Sequence, residues 1–140
     1  MDAASNAAIL ISLVSDMKEV QSHAAEGPFR LPLAPARSDL VAKYFRGLGD
    51  PTRVRILELL RDEGELTVGD LVERLVLPQP KVSNHLACLR WCGFVEARRE
   101  HRTVYNRIAD QRVVKMLTLV QALLDDNAEH VAACGRIDEE

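Results

Sequence analysis

Gln79-Pro80-Lys81-Val82-Ser83-Asn84-His85-Leu86-Ala87-Cys88-Leu89-Arg90-Trp91-Cys92-Gly93 is the stretch whose reading decides the fold. Proline near the first turn and glycine just past the end are helix boundaries, so residues 79–92 are predicted to be a helix. At about 100° per residue, Val82, Leu86 and Leu89 fall on one face, which must meet a core. Lys81, Asn84 and His85 gather on the opposite face, and Cys88 and Cys92 share that polar stripe. Cysteine is among the most buried residue types. A pair four residues apart on a polar face is therefore out of place as packing. One helix is expected to do two jobs, touching DNA with its N-terminal half and a soft metal ion with its C-terminal half.

Outward from that helix the chain reads as mainly α with one small β-hairpin. Upstream, residues 38–49 make a first helix, with Ser38 as N-cap and Leu40, Val41, Tyr44, Phe45 and Leu48 as its expected buried face. Asp50-Pro51 starts a second helix at once, with Val54, Ile56, Leu57, Leu59 and Leu60 apolar. Thr67 and Asp70 form a capping-box pattern that opens a short third helix. Leu77-Pro78 ends it, and helix, tight turn, helix is the outline of a helix-turn-helix. Downstream, residues 94–98 and 103–108 read as strands around the polar tip Arg99-Glu100-His101-Arg102, a wing. A last helix over about 110–133 has an apolar stripe wider than one small domain needs, so it is expected to form a homodimer. The domain limits expected are a helical extension over 1–26 and a proline-rich connector over 27–37. The winged helix-turn-helix with its dimerisation helix follows over 38–134, and a tail over 135–140.

Charge is distributed to match. The chain carries a formal −3, yet residues 79–112 hold seven basic side chains against three acidic ones, a local +4. A basic patch on an acidic body suits docking on the phosphates of duplex DNA. In a helix-turn-helix the second helix enters the major groove and reads base edges with its N-terminal residues. Here those are Gln79, Lys81, Ser83, Asn84 and His85; Gln and Asn suit adenine, and Lys suits guanine acceptors. Arg98, Arg99, His101 and Arg102 on the wing would position the protein on backbone or minor groove. The apolar run at residues 7–14 is too short to span a membrane, lacks a basic flank and is followed by Asp16 and Glu19. A cytoplasmic protein with reduced thiols is expected.

The run Leu48-Gly49-Asp50-Pro51-Thr52-Arg53-Val54-Arg55-Ile56-Leu57, then Val82-Ser83-Asn84-His85-Leu86 and Val104-Tyr105, resembles the ArsR/SmtB family of bacterial winged-helix repressors over roughly residues 38–125. The resemblance implies a homodimer that sits on an operator and releases it when a metal or metalloid binds. Two of the family's sensor sites are missing here. Thr67 and Gly69 stand where one branch has a Cys-x-Cys pair. Asp110 matches a zinc-sensing position, but Arg112, Leu123 and Asp126 do not, so Asp110 reads as a helix cap. Cys88, Cys92 and Cys134 are similar to the ligands of the family's cadmium- and lead-sensing branch.

The chemistry of the residues agrees. Side chains at i and i+4 of a helix are about 5–6 Å apart at Cβ, close enough for two sulfurs to hold one large ion. Cys134 is the only other thiol. Three thiolates suit Cd(II) or Pb(II), with Hg(II) or As(III) as further candidates, better than four-ligand zinc. The rival reading is a winged-helix regulator that senses thiol oxidation, helped by nearby Arg and Lys. A disulfide, however, needs Cβ atoms about 3.5–4.5 Å apart, which an undistorted i, i+4 pair does not offer. An enzyme is not expected. The chain has no Cys-x-x-Cys, no glycine-rich phosphate loop and no paired carboxylates in a plausible cleft.

Overall fold

A computed structural model describes residues 34–139, and Ser38–Glu140 form one compact unit. The extension expected over 1–26 and most of the connector over 27–37 lie outside the described residues. The elements run α1 (Arg37–Leu48), α2 (Pro51–Glu63), α3 (Val68–Leu75), α4 (Gln79–Trp91), β1 (Val95–Glu100), β2 (Thr103–Ile108), α5 (Gln111–Ala132) and the single turn α6 (Gly135–Asp138). This is a mainly helical winged helix-turn-helix with one antiparallel two-stranded sheet.

Local chemistry sets most boundaries. Asp50 caps α2, its Oδ1 accepting from Thr52 N at 2.8 Å and Arg53 N at 3.1 Å. Pro51 fills the first helical position, where its missing N–H costs nothing. At α3 both halves of the capping box form, Asp70 N to Thr67 Oγ1 at 3.1 Å and Thr67 N to Asp70 Oδ2 at 2.9 Å. The helix ends on Val76 in the left-handed region, φ 56°, where a β-branched residue is strained. Helix α4 closes with paired bonds, Phe94 N to Leu89 O at 2.9 Å and Gly93 N to Arg90 O at 3.1 Å. That Schellman closure needs Gly93 at φ +80°. Asp110 caps α5 through Arg112 N.

The core is where the periodicity puts it. Ile56, Leu57 and Leu60 of α2, Leu71 and Leu75 of α3, and Val82, Leu86 and Leu89 of α4 pack with Phe94, Val95, Val113 and Leu117.

Helix α1 departs from expectation. It begins at Arg37, so Ser38 lies in its first turn rather than capping it, and none of its residues is buried. Leu40, Val41, Tyr44 and Phe45 are exposed, Phe45 by 57%. The stripe is real, but α2, α3, α4 and the wing already fill the core of one chain. Only Leu48 packs half-buried against that core, while the Tyr44 ring lies 4.3 Å from that of Phe94. Leu119, Val120, Leu123 and Leu124 of α5 are likewise bare, Leu119 by 62%.

The wing is longer and tighter than its sequence suggested. Arg99 and Glu100 belong to β1, paired with Val104 and Thr103, so the tip shrinks to His101-Arg102. Leu66 makes an isolated bridge to Asn106 of β2, with N···O distances of 3.0 and 2.8 Å. The Asn106 amide adds a bond to Leu66 O at 3.2 Å, so the wing's base is tied to the α2–α3 junction.

Candidate DNA-reading surface and thiol site

The polar stripe of α4 divides along its length. At its start Gln79, Lys81 and Asn84 are exposed and Ser83 is half-buried. His85 turns inward. Its side chain is 15% exposed, with Nδ1 3.8 Å from Asp50 Oδ1 at the cap of α2. Burial alone would raise the Asp50 carboxyl. The bond from Arg53 N, the facing His85 and the bond from Thr52 N bring it below its ordinary value.

On the wing, Arg99, His101 and Arg102 are exposed and enter no ion pair among the described residues. Arg98 is engaged within the fold. It bonds Glu65 at 3.1 and 2.7 Å and Glu100 at 3.0 Å, and lies 5.1 Å over the Tyr105 ring. Arg107 shares Glu65, at 3.5 Å. The bond from Arg98 foremost holds the Glu65 carboxyl below its ordinary range.

Farther along α4, the stripe runs under α1 and α2. Cys88 and Cys92 are both half-buried, rather than set on an open polar face. Cys92 packs on the core, and a Cβ at Gly47 of α1 would lie 3.8 Å from its Sγ. Burial, then the charge and hydrogen bond of Cys88, push the Cys92 thiol up, while Arg53 and Lys43 act against the rise. Arg53 of α2 donates from Nη1 to Cys88 Sγ at 3.6 Å and from Nη2 to Arg46 O at 3.4 Å. Its buried Nε–H has no acceptor. Arg53 stands inside the family-like run Leu48–Leu57, but nothing in its spacing connects it with Cys88, so the sequence does not mark it as a site residue.

Cys134 does not join the pair. It caps the single turn α6, half-buried, and no cluster of three His, Cys, Asp or Glu side chains able to hold a metal forms among the described residues. His130 lies exposed in the last turn of α5. Two neighbouring half-buried thiols fit a soft cation as two of its ligands. Among the described residues of one chain the set lacks a third. No helix among the described residues is long and apolar enough to cross a membrane.

A helix-turn-helix with an exposed N-terminal reading face and a basic-tipped wing defines the class as a DNA-binding transcriptional regulator, not an enzyme. Residues 50–97 match the model of the arsR family of bacterial regulatory proteins. The chain is 40% identical over 102 residues to the probable mercury resistance operon repressor of Streptomyces lividans, covering 73% of this chain and 81% of that one. It is 45% identical over 89 residues to the HTH-type transcriptional regulator CmtR of Mycobacterium bovis, covering 63% and 75%. The solution structure of the homodimeric winged helix-turn-helix DNA-binding domain Mb0332 of Mycobacterium bovis superposes with a TM-score of 0.61 at 33% identity, covering 71% and 95%. The chain belongs to the arsR family.

Proposed function

We propose that the protein is a cytoplasmic repressor that binds operator DNA as a homodimer and is released by a thiophilic metal ion held by Cys88, Cys92 and Cys134. The observation that carries this reading is the division of α4. Its start offers the exposed Gln79, Lys81 and Asn84, with the half-buried Ser83, to a major groove, while its other end carries two adjoining thiols against α1 and α2. A ligand that ties down those thiols acts on the same rigid helix that reads DNA. His85, facing Asp50, links that helix to the cap of α2, and Arg99, His101 and Arg102 supply phosphate contacts, with Arg98 second to them.

The bare stripes of α1 and α5 are the surface on which a second copy would pack, and the similar Mb0332 domain is homodimeric. Because Cys134 stands apart from Cys88 and Cys92 within one chain, the third sulfur is proposed to be Cys134 of the partner subunit. Cd(II) and Pb(II) are the favoured ions, with Hg(II) and As(III) next; the mercury repressor among the relatives supports a soft ion in general.

The test is a Cd(II) titration of the reduced protein. Thiolate-to-metal absorption is followed against a competing chelator, and the same samples are scored for release of promoter DNA. One ion per subunit with release at that ratio is expected, and C134S should still bind DNA but respond poorly to the ion. Tight binding that leaves the DNA complex intact would overturn the reading. Restoration of DNA binding by a reductant alone, with no metal present, would replace it with thiol-oxidation sensing.

A further inference from the structure

Trp91 is the most exposed large apolar residue among the described ones. It ends α4 with 92% of its surface in solvent, and it is the only tryptophan of the chain. Tryptophan is highly buried on average, and it is a poorer helix former than the Lys, Gln or Glu that an exposed last turn accepts. Neither packing nor helix propensity accounts for it there.

Its position on the helix does. At about 100° per residue, Trp91 stands within about 20° of Asn84, on the pole opposite the buried Val82, Leu86 and Leu89. The exposed Ala87 lies between them on the same stripe, with a methyl group where a longer side chain would hold the helix off a surface. The stripe thus runs unbroken from the residues assigned to base edges to the end of the helix. The thiols lie to one side of it, half-buried against α1 and α2.

Distance decides what Trp91 meets. It follows Asn84 by seven residues, about 10 Å along the helix axis. The major groove is about 12 Å wide, and a recognition helix reads base edges with its N-terminal residues. With Asn84 at the bases, a ring about 10 Å farther along the axis has reached the lip of the groove, where deoxyribose and phosphate form the surface. An indole suits that lip, since its flat apolar body packs on sugar while its N–H donates to a phosphate oxygen. Arg90 beside it is exposed and enters no ion pair among the described residues, so this end of the helix also carries the charge that phosphates attract.

We infer that Trp91 is a positioning residue for DNA binding: its ring packs on the sugar–phosphate backbone at the lip of the major groove and fixes how far α4 enters. The inference rests on α4 as the DNA-reading helix. It adds a contact that carries no sequence information and no charge.

The lone tryptophan makes the test direct. Acrylamide quenching of its fluorescence is measured on the full-length, reduced, metal-free protein, alone at several concentrations and with saturating promoter duplex. The affinities of wild type, W91A and W91F are measured by anisotropy on that duplex and on an unrelated one of equal length. Quenching should be unhindered in the protein alone and suppressed by DNA. W91A is expected to bind both duplexes about tenfold more weakly, the scale of one lost aromatic contact per subunit, and W91F should recover most of that loss. The slope of log K against log salt should stay as in wild type, since an indole displaces no counterions.

Protection of Trp91 before DNA is added would place the ring against its own chain or a second copy and overturn the inference. So would wild-type affinity in W91A, or W91F no better than W91A. A loss confined to the promoter duplex, or a shallower salt slope, would refute a backbone contact made by packing. Wild type that binds neither duplex would instead refute the DNA-binding role of α4 itself, so the two failures are distinguishable.

Discussion

Glu65→Gln separates the wing's structural role from its electrostatic one. In the fold, Glu65 accepts from Arg98 at 3.1 and 2.7 Å and from Arg107 at 3.5 Å. These are part-exposed surface pairs screened by solvent, so their loss should cost little stability. The larger effect falls on DNA. Neutralising Glu65 frees the Arg98 guanidinium from its main partner, on a wing whose tip already carries Arg99, His101 and Arg102. If one further phosphate is neutralised per subunit, the slope of log K against log salt should steepen by about 0.9 per contact, or roughly 1.8 for a dimer. Over the interval from about 50 to 200 mM salt, that difference makes the variant's advantage shrink roughly tenfold. The assay is fluorescence anisotropy of the promoter duplex at four or more salt concentrations, for both proteins, without metal. A parallel slope would show that Arg98 lies away from the phosphates, and weaker binding at every salt would show that Glu65 serves DNA binding by holding the wing in place. Either outcome refutes the electrostatic reasoning.

Val76→Gly relieves a β-branched residue at φ 56° that is 85% exposed and packs little, so it should raise stability by about 1 kcal/mol, seen as a higher urea midpoint at unchanged slope. Leu123→Glu places a charge in the bare stripe of α5; sedimentation should report a monomer with unaltered helical circular dichroism, and an intact dimer would move the interface elsewhere. The Asp110 carboxyl is brought from its ordinary 3.8 to about 2, first by the hydrogen bond from the Arg112 side chain. A lowered carboxylate stabilises above its unfolded value and ceases to do so as pH falls through the folded one. The stability difference between wild type and Asp110→Asn should therefore be constant above about pH 5, fall as pH drops through about 2, and vanish near about pH 1, as followed by thermal melts.

The elements were legible in the sequence where local rules and burial agree. Asp50-Pro51, the Thr67–Asp70 box and Gly93 each name a helix end, and Val82, Leu86 and Leu89 name one buried face. Legibility failed where a partner outside the local window decides. The stripe of α1 predicts a buried face, yet none of its residues is buried, because one chain's core has no room for it. Arg99 and Glu100 read as a polar tip because charge masks strand pairing, and the Leu66–Asn106 bridge has no periodicity to reveal it. The site followed the same rule. The Cys88–Cys92 spacing is local and readable; the guanidinium of Arg53, 35 positions away in sequence, is not.

The bridge between Leu66 and Asn106 divides the wing into two parts with different freedoms. Its base is stitched to the helices by contacts 40 residues apart, and so belongs to the interior of the domain. Its tip at His101-Arg102 has no such anchor. The hairpin can be lengthened, shortened or recharged at that tip without disturbing the register below it. Reach along the DNA is thus a trait that can change by insertion alone, while the angle at which the wing leaves the body stays fixed by one buried asparagine.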